Sequence, residues 1–112
     1  MSAAATDEVL EVTIAGQVVH VNAEGFMTEF GEWTPEIGAE LAADLGLPLD
    51  EERLAVVRFV RDDYAERGTT ATLRRLKAVG GFETRRLFAL FPQKPAKKIA
   101  YLAGVPKPVG CV

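Results

Sequence analysis

Cysteine is the one strongly nucleophilic side chain whose placement in this chain invites chemistry, and there is a single copy, Cys111, second from the end of 112 residues. The thiolate is the reactive form, and an unperturbed thiol titrates near ~8.5. A free cysteine is ordinarily a small buried hydrophobe, but its setting here argues for presentation. Val105-Pro106-Lys107-Pro108-Val109-Gly110-Cys111-Val112 places prolines at alternate positions, removing backbone donors and favouring an extended, polyproline-like course. Starting from Gly104, such an arm reaches on the order of 25 Å, enough to carry a sulfur into another protein's active site. A stiff arm also loses less conformational entropy on insertion than a Gly/Ser tail. The terminal carboxylate of Val112 disfavours the thiolate and Lys107 favours it. The expectation is an accessible thiol whose base and electrophile come from a partner.

Other chemistries find little support. One His and one Cys make no zinc site, and no Gly-rich phosphate loop follows a strand. His20 alternates with apolar residues in a strand-like run, which points to a structural or surface role. Asp50-Glu51-Glu52 sits where a helix would start and serves capping and the dipole. No Ser/His/Asp arrangement is evident, so neither metal nor cofactor is expected.

The elements that must position the arm are written locally. Val9 to Val21 reads as a β-hairpin turning at Ala15-Gly16. Phe26, Phe30 and Trp33 are expected anchors of an irregular stretch. Thr34 and Pro35 open a helix with Ile37, Leu41 and Leu45 on one face, stopped by Gly46. Asp50 caps a central helix over about 51–67, with Leu54, Val56, Val57, Phe59, Val60 and Tyr64 apolar and Gly68 at its end. Thr70 is expected to cap a third helix running to Val79. A fourth spans about 84–91, and a fifth opens at Pro95 and stops at Gly104.

With 48% hydrophobic and 26% charged residues, the chain reads as one ordinary soluble domain over 1–112, with 1–8 a flexible N-terminus and 105–112 a mobile C-terminal arm. Its apolar runs fall far short of the ~20 residues needed to span a bilayer. Met1 to Glu8 lacks the basic start and apolar middle of a secretion signal. A lone cysteine asks for no oxidising compartment, so a cytoplasmic location is expected. Charge is divided unevenly: residues 1–52 hold twelve acids and no Lys or Arg, whereas 53–112 hold thirteen bases and four acids. Either the halves neutralise one another on packing, or a basic surface beside the C-terminus meets an acidic partner or RNA.

Leu90-Phe91-Pro92, Pro95-Ala96-Lys97 and Ala103-Gly104-Val105-Pro106-Lys107-Pro108 ahead of a penultimate Cys111 resemble the end of the TusE/DsrC family of sulfur-relay proteins. Val56-Val57-Arg58-Phe59-Val60-Arg61-Asp62 with Tyr64 is similar to that family's central helix, and Arg74 falls where the family places a helical Arg. The resemblance covers about residues 10–112. It implies a mainly α (α+β) fold: an orthogonal helical bundle with an N-terminal β-hairpin, a helix-turn-helix-like element and an extended C-terminal arm.

The resemblance also implies sulfur delivery as a persulfide on Cys111, by a carrier acting with partner enzymes. Pro106, Lys107, Pro108 and Gly110 would form the partner-binding arm, with Arg74 and Lys97 supporting it. TusE-type members take sulfur from the TusBCD complex and pass it to the tRNA 2-thiouridine enzyme (thiouridylase). DsrC-type members partner dissimilatory sulfite reductase and use two arm cysteines. The position of the second is Ala100 here, so the TusE type fits better. Lys94 replaces a family Gly, Arg53-Leu54 stands where many members have His-Trp, and Ala71 takes the place of a usual Pro. The stretch between Leu76 and Leu87 is several residues shorter than in the family.

Three other readings are compatible with the residues. The chain could be a partner subunit of a sulfite reductase-like or sulfur-oxidation complex. It could be a regulatory nucleic-acid-binding protein, with 51–67 and the helix bearing Arg74-Arg75 as a helix-turn-helix, although a pI near 5.2 opposes this. In the third, the tail is only packing.

Overall fold

A computed structural model describes residues 8–109. The N-terminal segment before Glu8, and Gly110, Cys111 and Val112, lie outside the described residues. β1 (Val9–Ile14) and β2 (Gln17–Asn22) form an antiparallel hairpin with Leu10 opposite Val21 and Val12 opposite Val19. Ala15 and Gly16 take φ of 53° and 78°, the left-handed pair that a two-residue hairpin turn requires. Val19 and Val21 are buried, so this face of the hairpin lies on the core. On the other face His20 sits between two acids, its Nδ1 2.7 Å from Glu32 and its Nε2 3.4 Å from Glu11.

Five helices follow a short 3-10 turn at Phe30–Glu32: α1 (Pro35–Asp44), α2 (Glu51–Arg67), α3 (Leu73–Ala78), α4 (Thr84–Leu90) and α5 (Pro95–Ala103). Thr34 caps α1 by accepting from the Ile37 N–H, and Asp50 caps α2 by accepting from that of Arg53. Such caps each contribute about 1 kcal/mol. Gly68 ends α2 at φ 75°.

One cap differs from expectation. Thr72, and not Thr70, accepts from the Arg75 N–H and opens α3, which closes at Ala78. Three threonines lie within Thr69-Thr70-Ala71-Thr72, and the hydroxyl of Thr70 is engaged elsewhere.

The core is centred on α2 and α5, which share the most extensive inter-helix packing. Val56, Val57 and Val60 from α2 and Ile99, Ala100 and Leu102 from α5 are each at most 1% exposed. Fully burying an aliphatic side chain of this size contributes roughly 1.5–3 kcal/mol. Phe59, on the flank of α2, meets Phe82 edge-on at 5.8 Å. The acidic and basic halves pair across the fold through Glu52–Arg86 and Glu24–Lys107. Among the described residues no helix is long and apolar enough to cross a membrane.

Candidate functional site: the root of the C-terminal tail

The last helix determines where the tail begins. Six of its nine residues are buried, which fixes its rotation against α2. Gly104 terminates it at φ 69°, with the Gly104 N–H donating to Tyr101 O and the Val105 N–H to Ala100 O. This is the paired 6→1 and 5→2 arrangement of a Schellman end, and Val105 supplies its apolar contact, fully buried.

Two carbonyls at this helix end have no intrahelical partner, and side chains from far away satisfy them. Trp33 Nε1 donates to Leu102 O at 2.7 Å, and Arg61 Nη1 donates to Ala103 O at 2.9 Å. Arg61 Nη2 also donates to Phe30 O at 3.0 Å, and its guanidinium lies 3.9 Å from the Phe30 ring centroid and 4.5 Å from that of Trp33. Burial lowers the pKa of Arg61 from its ordinary value. The cation is thus stacked on two rings and bonded to two carbonyls, one through each terminal nitrogen. Trp33 packs so closely that a Cβ on Gly104 would stand 2.7 Å from its Cδ1, and one on Gly38 2.7 Å from its Cζ2. Both positions exclude any side chain.

Beyond Gly104 the tail stays attached longer than expected of a mobile arm starting at residue 105. Thr70 Oγ1 donates to Pro106 O at 2.7 Å, Lys107 Nζ pairs with Glu24 at 3.0 Å, and Pro108 is buried. Val109 is 95% exposed. Alternating prolines favour an extended backbone without requiring that it leave the surface, and here the surface accepts it. Cys111 and Gly110 fall outside the described residues.

Of the two residues expected to support the arm, Arg74 lies near it and Lys97 lies elsewhere. Arg74 is exposed and lines a groove of about 590 Å³ together with Thr70, Pro106, Lys107 and Val109. Lys97 lines a separate cleft of about 480 Å³ with Phe26, Tyr101, Lys94 and Lys98. Among the described residues no hydrogen bond joins either side chain to the tail. The inward-facing arginine is its neighbour Arg75, whose Nε and Nη2 grip the buried carboxylate of Asp63 at 2.7–3.0 Å, with Arg67 at 3.4 Å. The Arg75 bonds hold the Asp63 pKa below the usual carboxylate value and raise that of Arg75. This pair fixes α3 on α2, and with it the loop that carries Thr70.

Neither Arg61 nor Thr70 is marked in the sequence as a support of the tail, and Arg75, which beside Arg74 could have held the arm, bonds to Asp63 instead. Arg61 had a usable signal: with Val57 and Tyr64 it lies on the i, i+4, i+7 stripe of α2 that faces inward. Among the described residues no group of three or more His, Cys, Asp or Glu could hold a metal ion.

The structure thus defines a small helical protein with a hairpin on its core and a clamped last helix that leads into a proline-punctuated tail. A family model described as DsrC like protein matches residues 13–112. The chain is similar to the sulfurtransferase TusE of Escherichia coli strain K12, with 38% identity over 104 residues, covering 87% of this chain and 95% of the relative. TusE of Salmonella typhimurium strain LT2 matches to the same extent. The NMR structure of Allochromatium vinosum DsrC superposes with a TM-score of 0.80 at 32% identity, covering 94% of this chain and all (100%) of that one. The oxidized gamma-subunit of the dissimilatory sulfite reductase from Archaeoglobus fulgidus gives 0.74 at 31%, covering 92% and 100%. The chain belongs to the DsrC-like family.

Proposed function

We propose that this protein is a sulfur carrier that accepts sulfur as a persulfide on Cys111 and passes it on in a relay ending in tRNA 2-thiouridine. In the loading step the Cys111 thiolate attacks the outer sulfur of a donor persulfide. A new S–S bond forms on Cys111, the donor's S–S bond breaks, and the donor sulfur leaves as a thiolate that takes up a proton. No net oxidation occurs, so no oxidant is needed. The acceptor reverses the roles, with its own thiolate attacking the outer sulfur held on Cys111.

The observation that carries this reading is the match to sulfurtransferase TusE over nearly the whole chain, together with a family match that runs through the tail and its only thiol. The clamped root supports it, because a carrier gains from a tether with a defined origin: ordering paid in advance is not paid again at docking.

A partner-subunit role beside a sulfite reductase-like complex is the second reading, favoured by the structural likeness to DsrC and the sulfite reductase gamma-subunit. Ala100 weighs against its dithiol form. It is fully buried in α5 and its carbonyl accepts the bond that closes the helix, so the position offers neither a thiol nor an exposed side chain.

Reconstitution separates the two. With the TusBCD complex as donor and the tRNA thiouridylase as acceptor, adding the wild-type protein should restore 2-thiouridine in tRNA, and Cys111→Ser should not. Thiolation that is indifferent to this protein would remove the tRNA relay.

A further inference from the structure

We infer that the face between the two grooves flanking Val79 is the docking surface for the partner that exchanges sulfur, and that it takes a protein surface bearing an apolar side chain between an acid and a base. This rests on the carrier reading and adds where and how the partner sits.

The first support is reach. The tail is held to the body through Pro108, by the Thr70–Pro106 bond, the Lys107–Glu24 pair and the burial of Pro108 itself. Only Val109 and Gly110 separate Pro108 from Cys111, so with the root intact the thiol stays within roughly 14 Å of that point however the chain runs. A partner's reactive group must come to this neighbourhood, and the partner's surface must therefore cover the ground around it. The groove containing Pro106, Lys107 and Val109 is that ground.

The second support is the charge pattern there. Val79 is 57% exposed and, with Arg75, lines both this groove and a neighbouring one of about 380 Å³. The first groove carries the exposed Arg67 and Arg74, and the second the exposed Asp62 and Glu66. Between them the Asp63–Arg75 pair is internally neutralised. An apolar centre flanked by opposite charges is the layout of a protein–protein contact, in which the centre supplies affinity and the rim supplies register. A nucleic-acid strand fits it poorly, because a backbone seated on Arg67 and Arg74 would run on over Asp62 and Glu66.

The test uses the full-length protein and the TusBCD complex of Escherichia coli, with affinity measured by titration calorimetry and folding checked by circular dichroism. Val79→Asp should weaken binding about tenfold. Arg74→Glu and Asp62→Lys should each weaken it about threefold and flatten its salt dependence. Lys94→Glu, in the cleft at the start of α5, should leave it unchanged.

Loading of Cys111 from glutathione persulfide is read by mass on the same samples. Normal loading in folded variants with weakened binding supports the surface. Failure of the wild type to bind, or binding indifferent to Val79→Asp, overturns the surface while leaving the carrier intact. Absent loading overturns the carrier reading itself. Affinity for tRNA that is lost in Arg74→Glu and kept in Val79→Asp would assign the face to nucleic acid and overturn the proposal.

Discussion

The two ends of the last helix are built in opposite ways. At its C-terminal end each loose carbonyl has a donor: Trp33 serves Leu102, Arg61 serves Ala103, and the Schellman pair serves Ala100 and Tyr101. At its start, Gln93 and Lys94 hold left-handed φ of 62° and 52°, and no side chain caps the first turn. Left-handed geometry costs a non-glycine residue roughly 1–2 kcal/mol. The fold tolerates strain where the helix enters and over-determines the place where the tail leaves. Precision is concentrated at the end from which the thiol is carried.

Removing the cation at the clamp should break this contrast most sharply. Arg61→Ala leaves two carbonyls without their donors and two rings without their cation, and should lower unfolding free energy in denaturant titrations by about 3 kcal/mol. A loss below half a kcal/mol would mean that the clamp is ornamental. Gly104→Ala attacks the same end through sterics, placing a Cβ against Trp33 at an unfavourable φ. It should cost about 2 kcal/mol in the same measurement.

Two substitutions sharpen the comparison with smaller effects. Thr70→Val removes the donor to Pro106 and should cost about 1 kcal/mol, with hydrogen exchange at Lys107 and Val109 rising while that of α5 stays unchanged. Lys94→Gly relieves the entry strain and should raise stability by about 1 kcal/mol. If instead it destabilised the protein, the left-handed entry would not be a source of strain.

The smallest effect is a pH dependence. The folded-state pKa of Asp63 is depressed by Arg75, so its contribution is fully present above the ordinary carboxylate pKa near ~3.9 and fades as pH falls through the lower folded value. Asp63→Asn should therefore flatten the acid limb of the stability profile, while remaining less stable than wild type at neutral pH.

Much of this was legible in the sequence because it is local. The Ala15-Gly16 turn, the caps at Thr34 and Asp50, and the stops at Gly68 and Gly104 each depend on a few adjacent residues, and the structure has them all. What escaped depends on partners distant in the chain. Thr70 was expected to cap α3 because threonine before an apolar run does so often; only the packing of residues 70 and 106 shows that its hydroxyl is spent on the tail. Arg74 and Arg75 are indistinguishable in sequence, and the position of Asp63 decides which one turns inward. Pro106 and Pro108 favour an extended chain, but that preference does not say whether a surface will receive it. Lys97 belongs to a family-like stretch, yet the rotation of α5 points it into another cleft.

The central claim is that one sulfur rides on Cys111 and leaves again, and intact-protein mass spectrometry reads this directly. After incubation with a persulfide donor, the wild-type chain should gain the mass of one sulfur atom, localised to the C-terminal peptide, and lose it when a thiol acceptor is added. No gain in the presence of a competent donor, or an equal gain by Cys111→Ser, would contradict the account.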